Sequence, residues 1–274
     1  MTTYIEYYYN ITHNTCISNF FSYLESIIES YEDVMYLNYN YEKFNIINNN
    51  FQIIKNYNPI ILNFFLTYSI IIVGDRILVF LFGSKARWFQ LHSLINFIIS
   101  INIFKDYLNI IINPNSGYRL LDNHILSYFI LNLHIFHFIA FKNLGFYDYF
   151  HHLLFVGLGV LPTIIIVKTN QCYMGYMSCS GIPGIIEYFI LSLYKNNKIS
   201  LIKQKYINSI NYNYFRFPLC IIGATYNFIN YNNGNISDNY LITIYINILL
   251  FLNGSLFNYL TLQSYFEKKY NKMN

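Results

Sequence analysis

Between residues 59 and 264 the chain alternates long apolar stretches with short polar breaks. Apolar runs of roughly 17–25 residues suit helices crossing a hydrocarbon core about 30 Å thick. They fall at 59–83, 88–104, 123–141, 149–167, 174–194, 213–230 and 240–264. The second and sixth are the weakest, because SLINFIISINIF and FPLCIIGATYNFI are short and carry Asn or small residues. The pattern predicts an all-α, polytopic transmembrane helix bundle of about five to seven spans.

The chain outside these runs reads differently. Residues 1–58 form a polar, Asn- and Tyr-rich N-terminal region, followed by the transmembrane domain at 59–264 and a short basic tail at 265–274. Within SYLESIIESYEDVMYL, Leu24, Ile27, Ile28 and Tyr31 recur at helical spacing, with Glu25, Glu29, Glu32 and Asp33 largely elsewhere around the helix. This predicts a surface amphipathic helix. Its acidic face argues against docking on an anionic leaflet and favours packing on the protein.

Composition strengthens the membrane reading: 55% of residues are hydrophobic and only 11% charged, against about 25% charged in soluble domains. The net charge of +4 is mild and its cations are dispersed, so no nucleic-acid partner is expected. The chemistry instead points to membrane lipids as partners; protein partners are left open. Cys16, Cys172, Cys179 and Cys220 form no CxxC pair, and give neither a zinc nor a redox signature. MTTYIEYYYNITHN lacks the basic start and compact apolar segment of a cleavable signal peptide, so insertion through an internal span is expected.

Cytoplasmic loops collect Lys and Arg. On a seven-span chain one side receives Lys85, Arg87, Lys142, Lys195, Lys198, Lys203, Lys205, Lys268, Lys269 and Lys272, while the other receives Lys43, Lys55, Lys105, Arg119 and Lys168. The C-terminus is therefore expected in the cytosol. The sequons at Asn10 and Asn235 fall on the opposite side.

Ionisable groups at membrane depth need partners and are functional candidates by default. Asp75 and Arg76 are adjacent in the first span, about 100° apart on a helix, and so cannot share one partner; a structural ion pair with a neighbouring helix is the plain reading. His92 lies beside Trp88, which reads as an interfacial anchor. His134 and His137 share a helix face, as a metal pair or as hydrogen-bonded core histidines; without further ligands in view, no metal is expected. Asp148 precedes His151 and His152 by three and four residues. A carboxylate so placed can orient an imidazole as a general base, or simply favour a helix start. SGIPGIIEY breaks an apolar run beside Glu187, which suits a wet cavity with a carboxylate facing it. The candidate site is thus His151 and His152 as catalytic residues, with Asp148, Glu187, His134, His137 and Arg216 lining a cavity.

Di-iron hydroxylases, desaturases and elongases use HxxHH boxes; the nearest match, DYFHH, has Asp148 where the first histidine belongs, and the chain holds only 7 His. One broken helix is half of what paired-repeat transporters show, and no selectivity-filter motif supports a channel.

KARWFQLHSLINF at 85–97, YDYFHHLLF at 147–155, SGIPGIIEY at 180–188 and NYNYFRFPL at 211–219 together resemble the TLC-domain family, which includes ceramide synthases and lipid-regulating membrane proteins. The resemblance covers about residues 60–264 and implies a helical bundle in the endoplasmic reticulum or a related membrane, with a lipid-containing central cavity. In the synthase branch a His-His pair works with a later His-Asp pair. His151 and His152 map to the first; GIPGIIEY offers Glu187 and no histidine for the second. This is closer to the non-synthase branch, which is linked to lipid composition and sensing. The resemblance thus implies binding, sensing or remodelling of lipids. An acyltransferase with acyl-CoA as substrate and no bound cofactor is the alternative, and a structural or chaperone-like membrane component is the third.

Overall fold

The computed structural model describes residues 59–121, 123–141 and 145–270; the amphipathic helix expected at 22–37 and the Asn10 sequon lie outside them. The chain runs through α1 (Pro59–Phe82), α2 (Arg87–Ile112), the single turn α3 (Pro114–Gly117), α4 (Ile125–Ala140) and α5 (Phe146–His151). A π-helical stretch (His152–Val160) joins α5 to α6 (Leu161–Ile166), followed by α7 (Cys172–Cys179), α8 (Ile182–Lys195) and α9 (Leu201–Asn211). A second π-helical stretch (Tyr212–Arg216) joins α9 to α10 (Phe217–Asn232), and α11 (Tyr240–Tyr270) closes the bundle. Among the described residues there is no strand, only an isolated bridge between Leu120 and Thr169.

Five helical rods are long and apolar enough to cross a membrane: Ile61–Phe82, Arg87–Ile112, Asp148–Ile166, Cys172–Lys195 and Tyr240–Tyr270. Ile125–Ala140 is apolar but shorter, and the α9–α10 rod begins on the polar LIKQKYINSIN. The expected 88–104 segment extends to Ile112, because Tyr107 and Ile110 beyond the Lys105–Asp106 pair are buried. Likewise α11 carries on through Tyr270, so residues 265–270 are helix rather than tail.

Burial inverts the soluble pattern. Phe80 is 88% and Leu241 73% exposed, whereas Asn132, Asn170 and Asn227 are fully enclosed. Lipid tails are as apolar as Leu, so helices in a bilayer associate through small residues and interhelical hydrogen bonds. Asn132 Nδ2 on α4 donates to Phe64 O and to Thr67 Oγ1 on α1, both at 2.7 Å. Between α10 and α11 the small residue is Gly254: a Cβ there would sit 2.7 Å from that of Cys220.

Both π-helical stretches run up to a proline, Pro162 in α6 and Pro218 in α10. Proline lacks an N–H and its ring presses on the preceding turn; widening that turn relieves the contact. Such widened turns recur at functional sites. Here they carry His152 and Arg216.

The break at SGIPG is also built. α7 ends at Cys179 and α8 begins at Ile182, with Gly181 N–H folded back onto Tyr176 O at 2.7 Å. Backbone groups freed inside a bundle must be paired internally, and Asn211 Nδ2 from α9 reaches Pro183 O at 2.8 Å. Gly184 lets α8 approach α2 closely, since a Cβ there would lie 2.6 Å from Asn96 Nδ2.

Candidate functional site

Five of the seven histidines meet at one end of the bundle. α2 supplies His92, α4 supplies His134 and His137, and the α5–π junction supplies His151 and His152. The His134 ring lies 5.4 Å from those of His92 and His151 and 4.9 Å from that of His152, centroid to centroid. The i, i+3 spacing puts His134 and His137 on one face. His134 Nδ1 donates to Ile130 O at 2.7 Å, and His137 Nδ1 and His152 Nε2 share a hydrogen bond of 3.0 Å. Both nitrogens of His92, and Nδ1 of His151 and His152, are buried with no hydrogen-bond partner. Trp88 packs on the rings of His92 and His137. His92 itself is 2% exposed, because the first turns of α2 lie against α4 and α8.

Beside the cluster stands a buried ion pair. Arg216 Nη1 donates to Glu187 Oε2 at 3.2 Å and to Tyr212 Oη at 2.8 Å, and Nη2 donates to Asn253 Oδ1 at 2.9 Å. Tyr212 Oη in turn donates to Glu187 Oε2 at 2.6 Å. The guanidinium also lies over the rings of Tyr212 and Phe257. The acid expected at the helix break is therefore partnered, by arginine and tyrosine. With the pair neutralised internally, the polar chemistry left to a ligand is mainly hydrogen bonding.

A cleft enclosing about 860 Å³ of space, its open mouth included, adjoins these groups. His92, His134, His151, Tyr188, Arg216 and Asn253 contribute polar lining; Phe155, Val160, Leu249 and Leu250 contribute apolar lining. The two kinds are separated along the helices. His151 packs on Phe257 and Gly159 lies beside Leu249, so the α5–α6 rod and α11 run antiparallel. Phe155 lies four residues beyond His151, and Leu250 and Leu249 three and four residues before Asn253, about 5–6 Å away at 1.5 Å per residue; Val160 lies farther along. The cavity is amphipathic, with the imidazoles and Arg216 at one end and a mostly apolar lining, which also includes Thr163, toward the other.

The remaining sequence candidates fall as follows. His134, His151 and Arg216 line the cavity; His137 and Glu187 support it from behind. Asp148 is exposed, and its Oδ2 accepts from Gly145 N–H at 2.9 Å as part of a capping box. It is the helix-start reading that holds at Asp148, not the histidine-orienting one, because the carboxylate turns back to the chain entering α5. Tyr188 and Asn253 were not singled out from the sequence: their type is too common in this chain to mark them. Asp238 was also missed. It is 6% exposed and accepts from Lys168 N, Thr169 N, Thr169 Oγ1 and Gln171 Nε2, tying the two loops at the opposite end of the bundle.

Helices of this length and apolarity, closed around buried amides and ion pairs, define a polytopic helical membrane protein. No family model, curated protein or solved structure matches the chain.

Proposed function

We propose that this multi-pass membrane protein binds a membrane lipid in its central cavity, headgroup at the His92–His134–His151–Arg216 end and acyl chain along Phe155, Val160, Leu249 and Leu250. The observation that carries the reading is the polarity of the cavity. A mostly apolar cleft suits a hydrocarbon tail, and a few converging polar groups at one end suit a headgroup. Trp88 and His92, His151 and His152, Glu187, and Tyr212 and Arg216 come from the four separate blocks behind the TLC-domain resemblance, and all adjoin this one cavity. That convergence supports a TLC-like, lipid-regulating role over a structural one. By loop charge the polar end faces the cytosolic side, near the starts of α2 and α5 and the end of α11; residence in the endoplasmic reticulum or a related membrane goes with this reading.

Acyl transfer from acyl-CoA is the second reading, with His151 as the base. An imidazole base is normally held by an orienting partner, and the capping role of Asp148 leaves His151 without that carboxylate. The geometry therefore favours binding over transfer.

Native mass spectrometry of protein extracted in mild detergent tests the proposal. Wild type is expected to carry a retained lipid. Gly175 lines the cavity, and a Cβ there meets only Leu250 Cδ1, at 3.9 Å, so the Cβ of Gly175→Phe has room and its ring is brought to the cavity wall. This variant should retain lipid at least about tenfold less, which corresponds to about 1.4 kcal/mol. Equal retention by the two proteins would remove the cavity as the binding site.

A further inference from the structure

The histidine cluster does more than furnish polar lining: the geometry points to a transition-metal site formed by His134, His151 and His152. Among the described residues, these three each offer one ring nitrogen, all within 4.8 Å of one another. Three imidazoles on a dication of zinc type sit about 2.0–2.1 Å from the metal. In tetrahedral geometry that places the nitrogens about 3.3 Å apart. Bringing the widest-spaced nitrogens together by at most about 1.5 Å closes the site.

The hydrogen bonds at His134 and His152 are of the kind a metal site uses. A metal-bound histidine almost always donates its other ring N–H to a carbonyl or another acceptor, which fixes the tautomer and aims the lone pair at the metal. His134 Nδ1 is committed to Ile130 O, which leaves Nε2 as a lone pair. When His152 Nε2–H donates to His137 Nδ1, its Nδ1 is likewise a lone pair, buried and without a partner. His151 Nδ1 is a second such orphan. Buried polar atoms in folded proteins are almost always satisfied, and one bound cation accounts for orphan nitrogens on both adjacent histidines. His137 is then a positioning residue that holds His152.

Imidazole is a borderline ligand that suits Zn²⁺, Co²⁺, Ni²⁺ and Cu²⁺ and is a poor match for Mg²⁺ or Ca²⁺. Three protein ligands with a fourth position free is the pattern of open, rather than purely structural, zinc sites. His134 and His151 both line the cavity, so the free position faces it. Three neutral imidazoles leave the dication's charge uncompensated, so that position takes an anionic oxygen: a hydroxide, or, resting on the lipid reading above, a headgroup carboxylate or phosphate.

The test uses full-length protein in mild detergent, stripped with chelator and then titrated with Zn²⁺ or Co²⁺. Elemental analysis is expected to find equimolar metal, and the Co²⁺ form a visible absorption spectrum of nitrogen and oxygen ligation without sulfur charge transfer. His134→Ala and His151→Ala should weaken binding by at least about 100-fold and His137→Ala by about 10–100-fold. His124→Ala, outside the cluster, should leave it unchanged. Wild type that takes up no Co²⁺ overturns the inference, as does unchanged affinity in folded His134→Ala. The wild-type spectrum reads the site even if a variant does not fold. Lipid is scored on the same preparation: metal-free protein that holds lipid overturns the metal site and leaves the lipid reading standing.

Discussion

Arg216→Met is expected to lower the stability of the detergent-purified protein by about 3–5 kcal/mol, the range for removing one partner of a buried ion pair. The substitution keeps an unbranched side chain but strands the Glu187 carboxylate, whose side chain is 18% exposed, and deprives Asn253 Oδ1 of its guanidinium donor. Glu187→Met is expected to cost a similar amount, because it leaves the 7%-exposed Arg216 side chain without its counter-charge. The double variant removes both charges together. Well-packed apolar replacements of a buried pair are often near neutral, so it should cost less than either single variant and give a coupling energy of more than about 3 kcal/mol. Denaturant unfolding of the four proteins reads the cycle. Additive losses would mean that the two residues act independently, contrary to their geometry.

A comparable loss, about 3–5 kcal/mol, is expected for Arg87→Met. Asp75 lies in the middle of α1 with its side chain 1% exposed, and accepts from Arg87 Nε at 2.5 Å and Nη2 at 2.6 Å. Two parallel charge-assisted bonds fix both position and angle, and so set how the first turn of α2, with Trp88 and His92, sits against α4. Asp75→Asn should be milder. Arg87 is 23% exposed and keeps water and the faces of Phe136 and Phe141, at 5.7 and 5.3 Å. Arg87→Met should therefore unfold at lower denaturant than Asp75→Asn; the reverse order would contradict the burial asymmetry.

The spans were legible because their signal is local. An apolar run of sufficient length is read within one window, and SGIPG announces its break through residues that cannot continue a regular helix unaided. The limits of α2 and α11 were not legible. Lys105 and Asp106 look like an end, yet Tyr107 and Ile110 hold the helix together from outside that window. The π-helical stretches had a signal in Pro162 and Pro218, which a search for apolar length passes over.

At the site, neighbours in sequence were readable and neighbours in space were not. His151 with His152, and His134 with His137, follow from helical spacing alone. Their meeting with His92 depends on α2 packing against α4, and the Glu187–Arg216 pair joins residues 29 positions apart. Asp148 shows the opposite failure: its spacing allowed two partners, and the backbone N–H of Gly145 took it over the imidazoles. In this Asn- and Tyr-rich chain the residues that close the site, Tyr188, Tyr212 and Asn253, are of the commonest types, so residue type alone could not single them out.

On the proposed function, a lipid tail occupies the mostly apolar end of the cavity while its headgroup meets the histidines and Arg216. Photo-crosslinking with a fatty acid carrying a diazirine at its chain terminus reads this directly, with adducts mapped by peptide mass spectrometry. Adducts are expected on the inward residues Val160, Leu249 and Leu250, lost in Gly175→Phe. Adducts confined to outward residues such as Phe65, Phe80 and Ile165, unchanged in that variant, would contradict it.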